Sequence, residues 1–171
     1  MVPDGKVVTA MTLYMNQRAF SWGRVLPLTD SSGHTRYTVT GDAYAPGKRL
    51  WVLDLAGRTA VSIRQSFPAL FPRYELEVYG KPGLSITKDL RFSPPQYTIS
   101  PQPWTLRGSV SACDYTLMQG DAPFAACHPD PEQPGLLALE FLSQNQAEIL
   151  SALGIMAAVN CVLTFQAPTA R

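Results

Sequence analysis

The chain has 171 residues, of which 46% are hydrophobic and 16% charged, and its formal net charge is +1. This composition excludes a disordered chain, and the length allows one domain with a substantial core. The small net charge argues against a protein specialised for nucleic acid. The charges are unevenly distributed, because residues 1–111 contain 13 basic and seven acidic side chains, whereas residues 112–171 contain one and six.

The cysteines and the first residues indicate the cellular compartment. Cys113, Cys127 and Cys161 form an odd and widely spaced set, which is unlike a disulfide framework. The segment Met1–Ala10 has an early acidic side chain and no long apolar stretch, so it does not resemble a secretory signal. We therefore expect a cytosolic protein with reduced thiols.

Short stretches with the alternation of β-strands follow one another from residue 11 to residue 142. They are Met11–Arg18, Arg36–Tyr44, Arg49–Leu55, Thr59–Gln65, Arg73–Tyr79, Leu84–Asp89, Tyr97–Ile99, Trp104–Val110, Cys113–Met118, Pro123–Cys127 and Leu136–Leu142. Tyr74, Leu76 and Val78 alternate with charged residues, which predicts one buried face and one wet face. About a dozen strands without a helix between them predict antiparallel hairpins, arranged as a barrel or a sandwich.

The last segment of the chain changes period. Residues 146–165 are apolar on every side, and their number predicts a helix of about 30 Å. Ser143 and Asn145 both fit the N-cap of a capping box. Because the length equals that of a bilayer core, a tail anchor is the alternative to a helix inside the protein. Asn160 favours the protein interior, where it can bond to backbone groups at strand ends, since hydrocarbon offers it no partner.

Several short sequence blocks occur in order along the chain. They are Leu13–Gly23, Tyr37–Gly41, Gly47–Leu50, Ile63–Gln65, Phe71–Glu75, Ile86–Lys88, Tyr97–Ile99, Trp104, Gly108, Asp114–Tyr115 and the terminal apolar helix. Together they resemble the LURP-one-related family, whose fold is that of the tubby C-terminal domain and the phospholipid scramblases. The resemblance implies a closed antiparallel barrel of about twelve strands around a central hydrophobic C-terminal helix. We expect one domain over residues 11–165, with short tails at 1–10 and 166–171.

Two positions depart from the pattern of the family. Residues 124–130 lack the Phe-Ser-Trp-Gly-like block that the family usually repeats, and Asn160 stands where the family's helix often carries an acid. Tubby domains bind phosphoinositides through basic side chains, and scramblases act at membranes, so the resemblance implies an anionic phospholipid as ligand. It implies no enzymatic activity for this chain.

Candidates for catalysis or metal binding are few. The pair Cys127-His128 suggests a metal or thiolate site, but structural zinc needs four closely spaced ligands, and the chain has two histidines and three scattered cysteines. Cys113 beside a distant histidine is better interpreted as a small core residue. Asp54 at the start of a turn is better interpreted as a turn cap than as a ligand. We therefore expect no enzyme, no metal site and no cofactor.

Basic residues on the predicted strands and loops are the remaining candidates for a site. They are Arg18, Lys48, Arg49, Arg64, Arg73, Lys81, Lys88 and Arg91. If several share one face, they can grip a phosphorylated head group by charge-assisted bonds; otherwise they keep the strand surface soluble. We expect a non-enzymatic barrel, in the cytosol or peripheral at the membrane, that binds anionic phospholipid or a protein partner. An interaction module that never binds lipid, and a scramblase-like or tail-anchored protein, are the alternatives.

Overall fold

The computed structural model describes residues 11–43, 48–66 and 71–163. The strands are β1 (Met11–Met15), β2 (Leu26–Thr29), β3 (Thr35–Asp42), β4 (Arg49–Leu53), β5 (Thr59–Gln65), β6 (Arg73–Val78), β7 (Lys81–Asp89), β8 (Gln96–Ser100), β9 (Trp104–Ser109), β10 (Asp114–Gln119), β11 (Ala122–Pro129) and β12 (Leu137–Phe141). Helix α1 (Gln146–Ala158) continues as a π-helical turn, Val159–Leu163. The predicted tails 1–10 and 166–171, Tyr44 of a predicted strand and residues 164–165 of the predicted helix lie outside the described residues.

All twelve strands belong to one antiparallel sheet, in the order β8-β7-β6-β5-β4-β3-β2-β1-β12-β11-β10-β9. The first and last strands of the chain meet in its middle, where β1 and β12 pair from Met11↔Phe141 to Met15↔Leu137. In the described residues, β8 and β9 lie against each other without a hydrogen-bonded ladder. The predicted antiparallel barrel of twelve strands is confirmed, but it is nearly closed instead of closed, with a seam between β8 and β9.

The predicted alternation of buried and exposed residues is confirmed on β6. Tyr74 and Leu76 are buried, whereas Arg73 and Glu77 are exposed and Glu75 is half-buried. Successive side chains of a strand point to opposite faces, so the inner face of β6 adds to the core and its outer face carries charge.

Helix α1 fills the inside of the barrel. Every side chain from Ile149 to Cys161 is buried, except that of Ser151, which is partly buried. The helix contacts β4, β5, β6, β7 and β12, so strands from both halves of the chain surround it. Because a helix that is apolar all round must be enclosed all round, this position satisfies its composition. In the described part of the chain, no helix combines the length and the apolarity needed to cross a membrane.

The N-cap of α1 is Asn145. Its side-chain oxygen accepts hydrogen bonds from the backbone N of Ala147 at 2.9 Å and of Glu148 at 3.3 Å. Ser143, the other predicted cap, instead donates to the carboxylate of Glu148. Of the two overlapping capping patterns, the later one starts the helix.

Asn160 fixes the other end of the helix to the barrel. It is fully buried, and its side-chain oxygen accepts a hydrogen bond of 2.9 Å from the hydroxyl of Tyr115. Its amide nitrogen donates to Cys127 Sγ at 3.5 Å, and its backbone carbonyl accepts from Gln17 Nε2 at 2.8 Å. The prediction that Asn160 bonds to strand-end backbone groups is wrong. The backbone groups near Tyr115 and Cys127 already belong to the ladder between β10 and β11, where these two residues lie opposite each other. The side-chain amide of Asn160 therefore bonds to their side chains instead.

Strand β2 has no counterpart among the predicted strands. It is only four residues long and contains Pro27, which is unusual inside a strand. It pairs with β1 at Tyr14↔Thr29 alone, so the missing N–H of proline interrupts no long ladder on that side. Leu26 and Leu28 are both buried, and this burial holds β2 in the sheet.

The predicted strand Leu84–Asp89 is too short, because β7 begins three residues earlier. The turn residues are Tyr79 and Gly80, with φ of 47° and 77°, and β7 begins at Lys81. Positive φ at two successive residues gives a tight hairpin turn whose twist matches the flanking strands. Pro82 and Gly83 therefore lie in β7 itself.

Gly154 provides a test of how tightly the barrel encloses α1. A Cβ at this position would lie 2.8 Å from Val61 Cγ1 and 2.8 Å from Leu76 Cδ2. Val61 is β-branched and has little rotamer freedom, so it cannot easily move aside. Overpacking costs about 1–3 kcal/mol, whereas replacing a helix glycine gains only about 1 kcal/mol. We expect Gly154→Ala to lower the free energy of unfolding by about 1 kcal/mol in urea denaturation.

A second substitution separates crowding from other effects at Gly154. In the double variant Gly154→Ala/Val61→Ala, the free energy of unfolding should fall by less than the sum of the two single decreases. The shorter side chain at position 61 makes room for the methyl group added at position 154. A Gly154→Ala variant as stable as the original chain would contradict the tight enclosure.

The bond between Tyr115 and Asn160 is tested by removing one hydroxyl. Tyr115→Phe leaves the buried oxygen of Asn160 without its donor, which costs about 1–3 kcal/mol of unfolding free energy. The matched control is Tyr14→Phe on β1, whose side chain is only partly buried, and it should change stability by less than about 0.5 kcal/mol. Equal effects of both changes in urea denaturation would show that the bond contributes nothing to stability.

Candidate functional site

The direction of the strands sorts the loops into two ends of the barrel. We call upper the end where α1 begins, which contains the turns 30–34, 54–58 and 79–80. We call lower the end where α1 finishes, which contains residues 16–25, 90–95 and 110–113. Two side-chain hydrogen bonds agree with this division. Gln146 Nε2 donates to the hydroxyl of Tyr37 at the upper end, and Gln17 Nε2 donates to the backbone carbonyl of Asn160 at the lower end.

Seven of the eight predicted basic residues lie at the lower end. Arg18 is in its first loop, Lys48 and Arg49 are at the start of β4, Arg64 is near the end of β5, Arg73 starts β6, Lys88 is near the end of β7, and Arg91 follows β7. Lys81 starts β7 at the upper end and is therefore separate from the others. All seven lie at one end because the even-numbered strands from β2 to β6 start there and the odd-numbered strands from β1 to β7 end there.

Two of these arginines form exposed ion pairs. Arg73 Nε lies 2.9 Å from Glu75 Oε1, and Arg91 Nη2 lies 2.8 Å from Asp89 Oδ2. The hydrogen bonds from Arg91 lower the pKa of Asp89. Because the side chain of Arg91 is 72% exposed and that of Arg73 is 46% exposed, these pairs are weak and leave both guanidiniums accessible to an outside anion.

Exposed apolar side chains occupy the same end. Val25 is 62% exposed, Leu90 54% and Phe92 45%. Leu90 and Phe92 flank Arg91 in the loop between β7 and β8, and Arg24 precedes Val25. The sequence prediction did not include these residues, although an apolar-basic-apolar triplet in a proline-bounded turn is a recognisable signal. Water solvates the basic side chains well but not the apolar ones, so apolar residues exposed beside basic ones are candidates for a contact surface.

A small pocket lies on the outer wall of the barrel, across β4, β5 and β6. We call it the Arg49–Arg64 pocket; it measures about 160 Å³ and is lined by Arg49, Ser62, Arg64, Glu75 and Glu77. Arg49 lies directly opposite Arg64, which in turn lies opposite Glu75. Ser62 lies opposite Glu77 in the neighbouring row. The pocket is basic on one side and acidic on the other.

A second pocket, of about 330 Å³, opens at the upper end beside Asp54, Leu55 and Tyr79. Asp54 accepts bonds of 2.9 Å from the backbone N of Ala56 and of Arg58, so its predicted role as a turn cap is confirmed. Desolvation raises the pKa of Asp54, but the bonds from Arg58 and Tyr79 outweigh it and lower the pKa. The guanidinium of Arg58 lies 5.7 Å from the centre of the Tyr79 ring.

Cys127 and His128 lie on opposite faces of β11. Cys127 is buried beside Asn160, whereas His128 lies on the outside with its Nε2 3.2 Å from Glu140 Oε1. Partial burial lowers the pKa of His128, but its bonds to Pro129 and Glu140 outweigh this effect and raise it. Neighbouring residues of a strand point apart, so these two side chains do not converge on one site. Among the described residues, no three His, Cys, Asp or Glu side chains are grouped to hold a metal ion.

The twelve-stranded barrel and its enclosed helix form a tubby-like barrel fold. The model of the LURP-one-related family matches residues 11–138, and the chain belongs to this family. The uncharacterized protein YxjI of Bacillus subtilis (strain 168) is 32% identical over 109 residues, which are 64% of this chain and 67% of that protein. The X-ray structure of the Arabidopsis thaliana protein AT5G01750 has a TM-score of 0.56 at 16% identity, over 94% of this chain and 98% of that one.

The buried thiols make stability depend on pH. Burial raises the pKa of Cys127 and of Cys161 to about 12, from an ordinary value of 9.0. Between pH 9 and pH 12 the folded chain keeps thiol protons that the unfolded chain has released. The contribution of the protonated thiols to the free energy of unfolding is therefore fully present below pH 9 and is lost as the pH rises to 12. Each thiol contributes a slope of about 1.4 kcal/mol per pH unit.

We therefore expect urea denaturation to show a falling free energy of unfolding above pH 9. Cys161→Ala should make the slope shallower by one thiol's share, whatever it does to stability at neutral pH. An unchanged slope in this variant would show that Cys161 titrates normally in the folded chain.

Proposed function

We propose that this protein is a non-enzymatic cytosolic barrel that docks with its lower end on anionic phospholipid. The proposal rests on one observation: seven basic candidates and the exposed residues Leu90 and Phe92 share that end. A surface of this kind suits a phospholipid bilayer, which presents anionic head groups outside and hydrocarbon beneath.

The balance of charge supports this orientation. In the part of the barrel from β3 to β8, the lower end carries six of the basic candidates, against the acids Asp42, Glu75 and Asp89. Each Lys or Arg near an anionic leaflet contributes about 1 kcal/mol of attraction, and salt screens it within about 8 Å at physiological ionic strength. Leu90 and Phe92 would add a contribution that salt does not screen.

Co-sedimentation with vesicles tests the proposal. We expect the protein to pellet with phosphatidylcholine vesicles that contain phosphatidylglycerol, and to remain in solution with phosphatidylcholine alone. The triple variant Arg18→Gln/Lys48→Gln/Arg73→Gln should lower the partition coefficient roughly a hundredfold, since three charges contribute about 3 kcal/mol. Raising the salt concentration should weaken the binding of the original chain more than that of the variant.

The upper end provides a control with the same change in charge. Arg36→Gln/Arg58→Gln/Lys81→Gln removes three basic residues from the opposite end, and it should retain most of the vesicle binding. Equal losses in both triple variants would mean that net charge alone drives the association. No binding of the original chain to anionic vesicles at low salt would refute the proposal.

Binding of a protein partner is the second candidate function, and the upper pocket favours it. Leu55 is 72% exposed there, beside Tyr79 and Arg58. Tyrosine and arginine are enriched among the residues that dominate binding energy in protein interfaces. Leu55→Glu should abolish such a complex, whereas vesicle binding by the lower end should be unaffected.

A further inference from the structure

Two arginines face each other in the Arg49–Arg64 pocket, in a row of cross-strand neighbours that begins with Asp42 on β3 and ends with Glu75 on β6. Arg49 and Arg64 are direct partners across β4 and β5, a position where like charges destabilise a sheet. Within the described residues, neither guanidinium lies within 4.0 Å of a carboxylate, unlike that of Arg73. The Nε of Arg49 is buried and has no hydrogen-bond partner among the described residues.

An anion would relieve both of these costs. A buried donor without an acceptor is penalised, and two adjacent guanidiniums repel each other until a negative charge lies between them. Guanidinium groups bind phosphate or carboxylate through paired N–H···O bonds. Ser62, on the same face of β5, adds a hydroxyl donor to this side of the pocket.

The opposite side of the pocket would repel a simple anion. Glu75 is already paired with Arg73 at 2.9 Å, but Glu77 has no such ion pair within the described residues. A carboxylate at the edge of an anion site lowers its affinity for phosphate unless the ligand also brings a cation. The arrangement therefore fits a ligand that carries a negative and a positive charge together.

We infer that the Arg49–Arg64 pocket binds a head group with a phosphate and a primary ammonium, as in phosphoethanolamine and phosphoserine. Arg49, Arg64 and Ser62 hold the phosphate, and Glu77 accepts hydrogen bonds from the ammonium. The volume of about 160 Å³ is well below the usual size of a drug site, so it admits a head group and not a larger molecule. For a membrane lipid the inference rests on the proposed function; for a free phosphomonoester it does not.

Titration with soluble probes tests the chemistry of the pocket. Binding is measured by NMR chemical shifts. Phosphoethanolamine should bind about tenfold more tightly than inorganic phosphate, because its ammonium adds one charge-assisted hydrogen bond. Arg64→Gln should weaken both probes about tenfold. Glu77→Gln should weaken phosphoethanolamine alone and remove the preference.

Matched controls lie outside the pocket. Arg107→Gln on β9 and Glu132→Gln in the loop before β12 remove the same charges elsewhere, and both should leave the two affinities unchanged. Urea denaturation of each variant verifies that it folds. Equal affinity for the two probes, or a Glu77→Gln variant that keeps the preference, would overturn the inference.

Vesicles distinguish a lipid head group from a free ligand. Phosphatidylserine and phosphatidylglycerol carry the same net charge, but only the former has an ammonium. The protein should prefer phosphatidylserine vesicles severalfold, and Glu77→Gln should abolish this preference. Equal binding of both lipids would refute the lipid form of the inference and leave the proposed function intact. Binding of phosphoethanolamine without binding to any vesicle would retain the pocket and refute the proposed function.

Discussion

The enclosure of α1 is the constraint on which the rest of the barrel depends. A helix with no polar face must be enclosed on every side, and the twelve-stranded barrel provides this enclosure. Asn160 gives this packing a fixed register, because its amide must meet Tyr115 and Cys127 at one depth of the barrel. Hydrophobic burial thus supplies the stability, and one polar residue selects the position.

Much of the fold could be predicted from the sequence, because it follows from local patterns. The alternation along β6 and the apolar period of α1 each determine their own environment. Strand β2 and the exact turn before β7 could not be predicted in this way. Pro27 is locally unfavourable in a strand because it lacks a backbone N–H. It is tolerated in β2 because β2 pairs with β1 at a single position. The partners of Asn160 depend on contacts between residues distant in the chain, which no local pattern contains.

The candidate site could be predicted only in part, for a similar reason. Sequence composition identified the basic residues, but it did not show that Arg49 and Arg64 are paired directly across two strands. That relation depends on register, and a shift of one residue would turn one of them to the inner face. The position of Glu77 in the pocket depends on the register in the same way, because the register between β5 and β6 places it opposite Ser62. The order of the strands, by contrast, is enough to place the basic residues of β4 to β7 at the lower end of the barrel. The even-numbered strands β4 and β6 start there, and the odd-numbered strands β5 and β7 end there.

The seam between β8 and β9 has a consequence for how the molecules behave at high concentration. Strand edges are places where a second chain can add and start a fibril. Here the two edges of the sheet cover each other within one molecule, and Pro94, Pro95, Pro101 and Pro103 flank them with residues that cannot donate a ladder bond. A neighbouring chain would have to part β8 from β9 before it could template growth. The contact between β8 and β9 thus does part of what full closure would do, because it covers both edges of the sheet.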